Sequence, residues 1–410
     1  MPTAKLLYHL LSLSALTLFA LAPAAPSVQT PGSTPPRISC AVAGDPDVPV
    51  SVDSGRARYC AVDVGSRSVK LSVISMEPGR PGTARDERVC RRTLGLGALV
   101  FDSTTGTSRP LPDSAIDLLA DTIRRYQQIC QLDGAVLLGA GATQWSRDAT
   151  NIADVTEKVR TATGVALDVL TPRQEAEYGH VAASLGTPGR IVLDPGSNSF
   201  QLSWWARATA EPVSVLIPYG YVRASVNDFE NAADYEAARL AYEAKVRARI
   251  DDALAELSPP LDLAGLAQMV RSGALGSDVV TLGQDGAVQL AVRGTLRGAD
   301  GRWLADADDY EQLLQRQRFS ADPEFGIMAA APITASELRM YVAGLGSRDL
   351  KDLTADPVKG LYGQKALVVP ALADLLMRAL GTKRLVMVPQ EAVTGYALSK
   401  IAEAGSKTPH

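Results

Sequence analysis

Two ten-residue stretches of this chain are near copies of one another. Residues 63–72 read DVGSRSVKLS and residues 194–203 read DPGSNSFQLS, six identities in ten positions at an offset of 131. Each copy follows a short apolar run, YCAV before the first and RIVL before the second. Each leads into alternation, through Val69, Leu71 and Val73 in one and Phe200, Leu202 and Trp204 in the other, the period-two pattern of a half-buried strand. Both therefore read as strand, Gly/Ser turn, strand. One such turn is commonplace, because Asp, Gly and Ser are ordinary turn residues. Two of them, opening successive segments, predict a chain of two similar halves. Each loop can then present backbone amides and hydroxyls to an anion lying between the halves. The carboxylate beside each loop can hold a divalent cation that neutralises phosphate oxygens.

The remaining segments alternate strand and helix. Residues 88–96 are predicted as a third strand, and 112–131 as a helix with Ile116, Leu119, Ile123 and Tyr126 on one face. Residues 135–141 read as a buried strand, 143–151 as a polar segment leading into a helix through Val155 and Val159, and 165–170 as another strand. Pro172 stands where a first helical turn tolerates it. After its own hairpin the second half becomes more helical, over 232–257 and 367–380, with strands at 279–282 and 384–388 and a closing helix over 391–402. Such alternation indicates an α/β layer architecture.

The N-terminus bounds the compartment. Lys5, an apolar run over 6–21 and the small-residue pattern Ala22-Pro23-Ala24 predict a secretory signal peptide over 1–24. His9 and several serines make the run a poor membrane anchor, so no stable membrane span is expected. Residues 25–57, rich in Pro, Ser and Gly, read as an extended leader. The protein is expected to be periplasmic or secreted. Cys40, Cys60, Cys90 and Cys130 then permit two disulfides in any of three pairings, and their spacing is wrong for zinc. A net charge of −4 over 410 residues argues against general binding to nucleic acid or anionic lipid.

Four segments taken together carry a resemblance. DVGSRS at 63–68, TQWSRDATN at 143–151, TPRQEAEYG at 171–179 and DPGSNS at 194–199 stand in the order and spacing of the exopolyphosphatase/guanosine pentaphosphate phosphohydrolase (Ppx/GppA) family. The chain resembles that family from about residue 58 to 402. The resemblance implies the actin-like ATPase fold, two ribonuclease-H-like domains with an active-site cleft between them. The first would span 58–186 and be completed by the helix at 391–402, and the second would span 187–390. It also implies hydrolysis of a terminal phosphate from inorganic polyphosphate, or another phosphoanhydride such as guanosine pentaphosphate, with Mg²⁺. Glu175 matches the catalytic glutamate that orients or deprotonates water, and Arg147 the phosphate-binding arginine. Asp63 and Asp194 match carboxylates that hold Mg²⁺ or orient water. Gly65, Ser66, Arg67 and Ser68, with Gly196, Ser197, Asn198 and Ser199, would cradle phosphates. Read alone, Glu175 is a solvated helix carboxylate and Arg147 a surface salt bridge. His180 reads as a helix-surface or packing residue, and Trp145 as packing at the base of the loop.

Three departures stand out. Arg67 replaces the asparagine that the family favours. The second loop has Pro195 and lacks two glycines, which removes a backbone donor and limits close approach. Residues 281–286 lack the Gly-Gly-Thr signature expected there. A catalytically weakened polyphosphate-binding protein is therefore the competing expectation, with a sugar or acetate kinase a weaker one, and a homodimer is left open.

Overall fold

The computed structural model describes residues 38–41, 47, 49, 55–102, 106–196, 199–209, 211–230, 232–282, 288, 291, 292, 332–346, 360–388 and 390–406. The expected signal peptide, Ser197, Asn198 and the loop at 283–287 lie outside the described residues. The first half runs β1 (Ser39–Ala41), β2 (Ala57–Val64), β3 (Ser68–Met76), β4 (Arg85–Thr93), α1 (Leu96–Val100), β5 (Phe101–Asp102), β6 (Thr107–Ser108), α2 (Asp113–Leu132), β7 (Val136–Ala142), α3 (Gln144–Asp148), α4 (Ile152–Thr163), β8 (Leu167–Val169) and α5 (Pro172–Ser184). The second half continues with β9 (Arg190–Pro195), β10 (Phe200–Trp205), β11 (Val213–Ile217), α6 (Tyr221–Ala224), α7 (Tyr235–Ala255), α8 (Leu263–Arg271), β12 (Asp278–Thr281), β13 (Ile333–Thr334), α9 (Ala335–Gly344), α10 (Gly360–Leu380), β14 (Arg384–Met387) and α11 (Ala392–Ser406).

The internal echo extends to topology. One sheet has the order β1-β4-β3-β2-β7-β8 and the other β11-β10-β9-β12-β14-β13. In each, an antiparallel three-stranded meander (β2-β3-β4 or β9-β10-β11) is followed by two parallel strands added beside its first member. Both halves thus repeat the ribonuclease-H-like strand order, and the chain has the two-domain α/β architecture of the actin-like ATPase fold. The expected third strand is shorter than 88–96 at its far end. Thr93 closes it, and Gly95, at φ 65°, turns the chain into α1, a left-handed conformation that glycine adopts without steric cost.

Strand alternation sends successive side chains to opposite faces. On β2 and β3, Cys60, Val62, Val64, Val69, Leu71 and Val73 face a core shared with α2 and α4. Ala61 and Ile74 face the other way, onto Tyr178 of α5 and Val393, Tyr396 and Ala397 of α11. On β9, Ile191 and Leu193 join the large core beneath α7, α8 and α10, while Val192 packs on Ala182 and Ala183 of α5. Helix α5 is therefore packed on both sheets. Helix α11 lies against it so closely that a Cβ on Gly395 would fall 1.8 Å from the Tyr178 carbonyl oxygen.

Covalent and ionic ties reinforce the first half. Of the three possible pairings, the disulfides are Cys40–Cys90, which staples β1 to β4, and Cys60–Cys130, which joins β2 to α2. Arg88 and Asp133 form a fully buried ion pair at 3.0 Å. Among the described residues no helix is long and apolar enough to cross a membrane.

Candidate active site

The two repeated aspartates arrive at the same place by the same alternation. Asp63 is two residues beyond Ala61, on the face of β2 that looks onto α5 and α11. Asp194 is two residues beyond Val192, on the face of β9 that looks onto α5. Asp194 packs closely on α5 at Gly179, where a Cβ would lie 3.1 Å from Asp194 Oδ2 and would have to be accommodated by a small shift. Glu175 is one turn earlier on that helical face, because residues four apart stack above one another.

In the loop after each aspartate the glycine lies against the carbonyl of the serine three residues on. The Gly65 amide donates to the Ser68 carbonyl at 3.1 Å, and a Cβ on Gly65 would come within 3.0 Å of that oxygen. In the second loop a Cβ on Gly196 would be 2.5 Å from the Ser199 carbonyl. A side chain at 196 would clash with this backbone, and one at 65 would be tight against it. The first loop is braced from outside: Ser66 O accepts from Gly97 N, and Arg67 O accepts from Leu94 N and Gly95 N. Its carbonyls are thereby turned onto the segment after β4, and the Arg67 side chain is exposed. The second loop is tied to α6 through the Tyr221 amide, which donates to Gly196 O at 3.1 Å.

Arg147 and Glu175, 28 residues apart, form the centre. Trp145, fully buried as expected at the loop base, donates from Nε1 to Val64 O at 2.6 Å and pins α3 to the end of β2. Asn151 clamps Leu111 through both its amide atoms. Arg147 is thereby aimed inward, with Nη1 donating to Leu170 O at 2.6 Å and Nη2 to Gln144 Oε1 at 2.7 Å and Glu175 Oε2 at 3.0 Å. Glu175 lies in the first turn of α5, which a Thr171–Gln174 capping box opens. The carboxylate is largely buried, with 21% of the side chain exposed. Desolvation raises its pKa above the usual carboxylate range, opposed by the Arg147 guanidinium and reinforced by Asp63. The smallest of these influences, the charge of Asp63, links Glu175 to the first repeated aspartate. The Asp63 pKa is raised too, first by desolvation, with Lys70 and Arg91 opposing and Glu391 reinforcing.

Two further members were not foreseen. Lys70 Nζ lies 3.7 Å from Asp63 Oδ2 and 3.4 Å from Glu391 Oε2. The hairpin held the signal for Lys70, because a turn that pairs Val64 with Val69 must pair Asp63 with Lys70. Glu391 is 321 residues from Lys70, and no local pattern marks it. The residue in register with Asp194 on the neighbouring strand is Gln201.

His180 is fully buried rather than on the helix surface, with Nδ1 2.9 Å from Ser203 Oγ. Burial lowers its pKa to about 4, so it is a neutral packing residue, facing β10. Among the described residues no group of three or more His, Cys, Asp or Glu side chains converges on a metal position. Mg²⁺ usually keeps waters and takes one or two carboxylates with substrate phosphates. Asp63 and Asp194, hard oxygen donors on strand faces that meet α5, fit that requirement.

Comparison with known proteins places these features in context. Residues 91–278 match the sequence model of the Ppx/GppA phosphatase family. A stretch of 168 residues is 32% identical to Exopolyphosphatase 1 of Mycobacterium leprae, covering 40% of this chain and 47% of that protein. A stretch of 173 residues is 27% identical to Retrograde regulation protein 2 of Saccharomyces cerevisiae, covering 39% of this chain and 28% of that protein. The chain thus spans less than half the length of the curated relatives it matches. Among solved structures, the Aquifex aeolicus member of the Ppx/GppA family superposes with a TM-score of 0.61 at 16% identity, covering 85% of this chain and 99% of the other. An exopolyphosphatase from Cytophaga hutchinsonii does so with a TM-score of 0.52 at 16% identity, covering 85% and 98%. At such identities the likeness concerns the fold.

Proposed function

From the Ppx/GppA phosphatase family domain that this chain carries, we propose that the protein is an exported phosphohydrolase that releases the terminal phosphate of inorganic polyphosphate. The observation that carries this reading is the Arg147–Glu175 pair at 3.0 Å, on which the charge of Asp63, just before the first Gly/Ser turn, acts electrostatically. Three of the five N–H donors of Arg147 are engaged by Leu170, Gln144 and Glu175. Two remain for oxygens of the terminal phosphate, whose geometry suits a planar guanidinium. The carbonyls of Ser66 and Arg67 are occupied elsewhere, so they do not repel an anion at the loop.

Glu175 accepts a proton from the attacking water, and its raised proton affinity suits a base that must hold that proton. The water oxygen forms a bond to the terminal phosphorus as the bridging P–O bond breaks. The electron pair leaves on the shortened polyphosphate, and orthophosphate is released. Mg²⁺, held by Asp63 or Asp194, would neutralise charge on the phosphate oxygens.

The two disulfides and the N-terminal pattern support export, and export favours polyphosphate over cytoplasmic guanosine phosphates or an ATP-dependent kinase reaction. Phosphate release from long-chain polyphosphate with Mg²⁺ tests the reading. Wild type should release phosphate, and Glu175→Ala should lower the rate by about 10²–10⁴-fold. Polyphosphate binding without release by wild type would overturn the enzyme reading in favour of a binding protein.

A further inference from the structure

Among the described residues the chain crosses between the two sheets twice, once from α5 to β9 and once from β14 to α11. The second crossing ends on charged groups. The Val388 amide still donates to Thr281 O of β12 at 2.9 Å. Three residues later Glu391 contacts Lys70 of β3, and Thr394 Oγ1 donates to Asp86 Oδ1 at 2.7 Å. Glu391 is 1% exposed and Lys70 12% exposed. A carboxylate so deeply buried is costly unless a cation faces it.

We propose that Lys70 is a positioning residue for Asp63, held by Glu391 at the start of α11, so that the second crossing between the sheets is tied to the candidate active site. The inference rests on the phosphohydrolase reading. Lys70 Nζ is within 4 Å of both carboxylates, whereas the exposed cation of the loop itself is Arg67. The duplicated half supplies an internal contrast. In strand register Gln201 stands opposite Asp194 as Lys70 stands opposite Asp63, so the lysine is specific to the first half.

The test compares Lys70→Met, Lys70→Gln, Lys70→Arg, Asp63→Asn, Glu391→Gln and the double variant Asp63→Asn/Lys70→Met in phosphate release, with tripolyphosphate affinity measured calorimetrically. A residue acting through Asp63 gives a strongly non-additive pair. Lys70→Met should lower kcat about tenfold or more while KM stays within about twofold, Lys70→Gln should behave similarly, and Lys70→Arg should recover most of the loss. Glu391→Gln should lower kcat in the same direction. The double variant should be no slower than Asp63→Asn. A KM and tripolyphosphate Kd that rise with kcat unchanged would make Lys70 a substrate ligand and overturn the inference. So would additive losses in the double variant. If Lys70→Met fails to fold, Lys70→Gln and Lys70→Arg decide the matter on the same readouts. A wild type that releases no phosphate overturns the phosphohydrolase reading and the inference with it, a result distinct from additivity in an active enzyme.

Discussion

Gly395→Ala puts the contact between α5 and α11 under direct strain. A Cβ at 395 would lie 1.8 Å from Tyr178 O, 2.7 Å from Tyr178 C and 2.9 Å from Ala182 N. The obstacle is the backbone of a neighbouring helix, which no rotamer change can move aside. The two helices must separate by more than 1 Å to bring the contact beyond 3.0 Å. Helix propensity pulls the other way, since alanine inside a helix is favoured over glycine by about 1 kcal/mol. Overpacking of a tight core costs about 1–3 kcal/mol, occasionally more, and this clash belongs at the upper end. The net expectation is destabilisation by about 2 kcal/mol, read as a lowered urea midpoint at unchanged slope. Because Glu175 is one turn from Tyr178 on α5, a displacement of this size should also lower kcat by about 10²-fold. Gly344→Ala is the control, where a Cβ would meet nothing within 4 Å, and its stability should stay within about 0.5 kcal/mol of wild type. A Gly395→Ala protein with wild-type midpoint and wild-type kcat would refute the close approach of the two helices.

Other outcomes follow from the same geometry. His180 has its pKa lowered from 6.5 to about 4 by burial. Stability present above pH 6.5 is therefore lost as pH falls toward 4, because the unfolded chain takes up the proton first. The loss is about 3 kcal/mol, and denaturant titrations at several pH values should show that part of the slope vanishing in His180→Gln. Arg88→Met removes the cation from a fully buried pair with Asp133 and should cost about 3–5 kcal/mol in the same assay. Arg67→Asn should weaken polyphosphate binding at low salt. An unaltered affinity there would mean that the side chain does not face the polyanion.

The parts of the fold legible in sequence were those set by local chemistry. The two Gly/Ser hairpins, the apolar face of α2 and the Pro-led start of α5 all follow from residues within a turn of one another. Which strand face meets α5, and so where Asp63 and Asp194 point, became visible only in the structure. Other features depend on partners that the chain supplies late. Nothing near residue 391 announces that its carboxylate meets a lysine at 70, and nothing near Gly395 announces Tyr178. Strand β11, an edge strand, escaped notice because its inward face is only Val213, Val215 and Ile217 within five residues, too short a pattern to distinguish from a loop. Disulfide pairing was equally closed to sequence, since it depends on which strands become neighbours: Cys40 faces Cys90 because β1 pairs with β4.

The central claim is that water attacks a terminal phosphorus at the Arg147–Glu175 site. Hydrolysis of long-chain polyphosphate in ¹⁸O-labelled water, followed by mass analysis of the phosphate released in the first turnovers, tests it most directly. The account predicts one labelled oxygen per phosphate, with the product absent in Glu175→Gln although that variant still binds polyphosphate. Unlabelled phosphate, or labelled phosphate formed equally fast by Glu175→Gln, would contradict it.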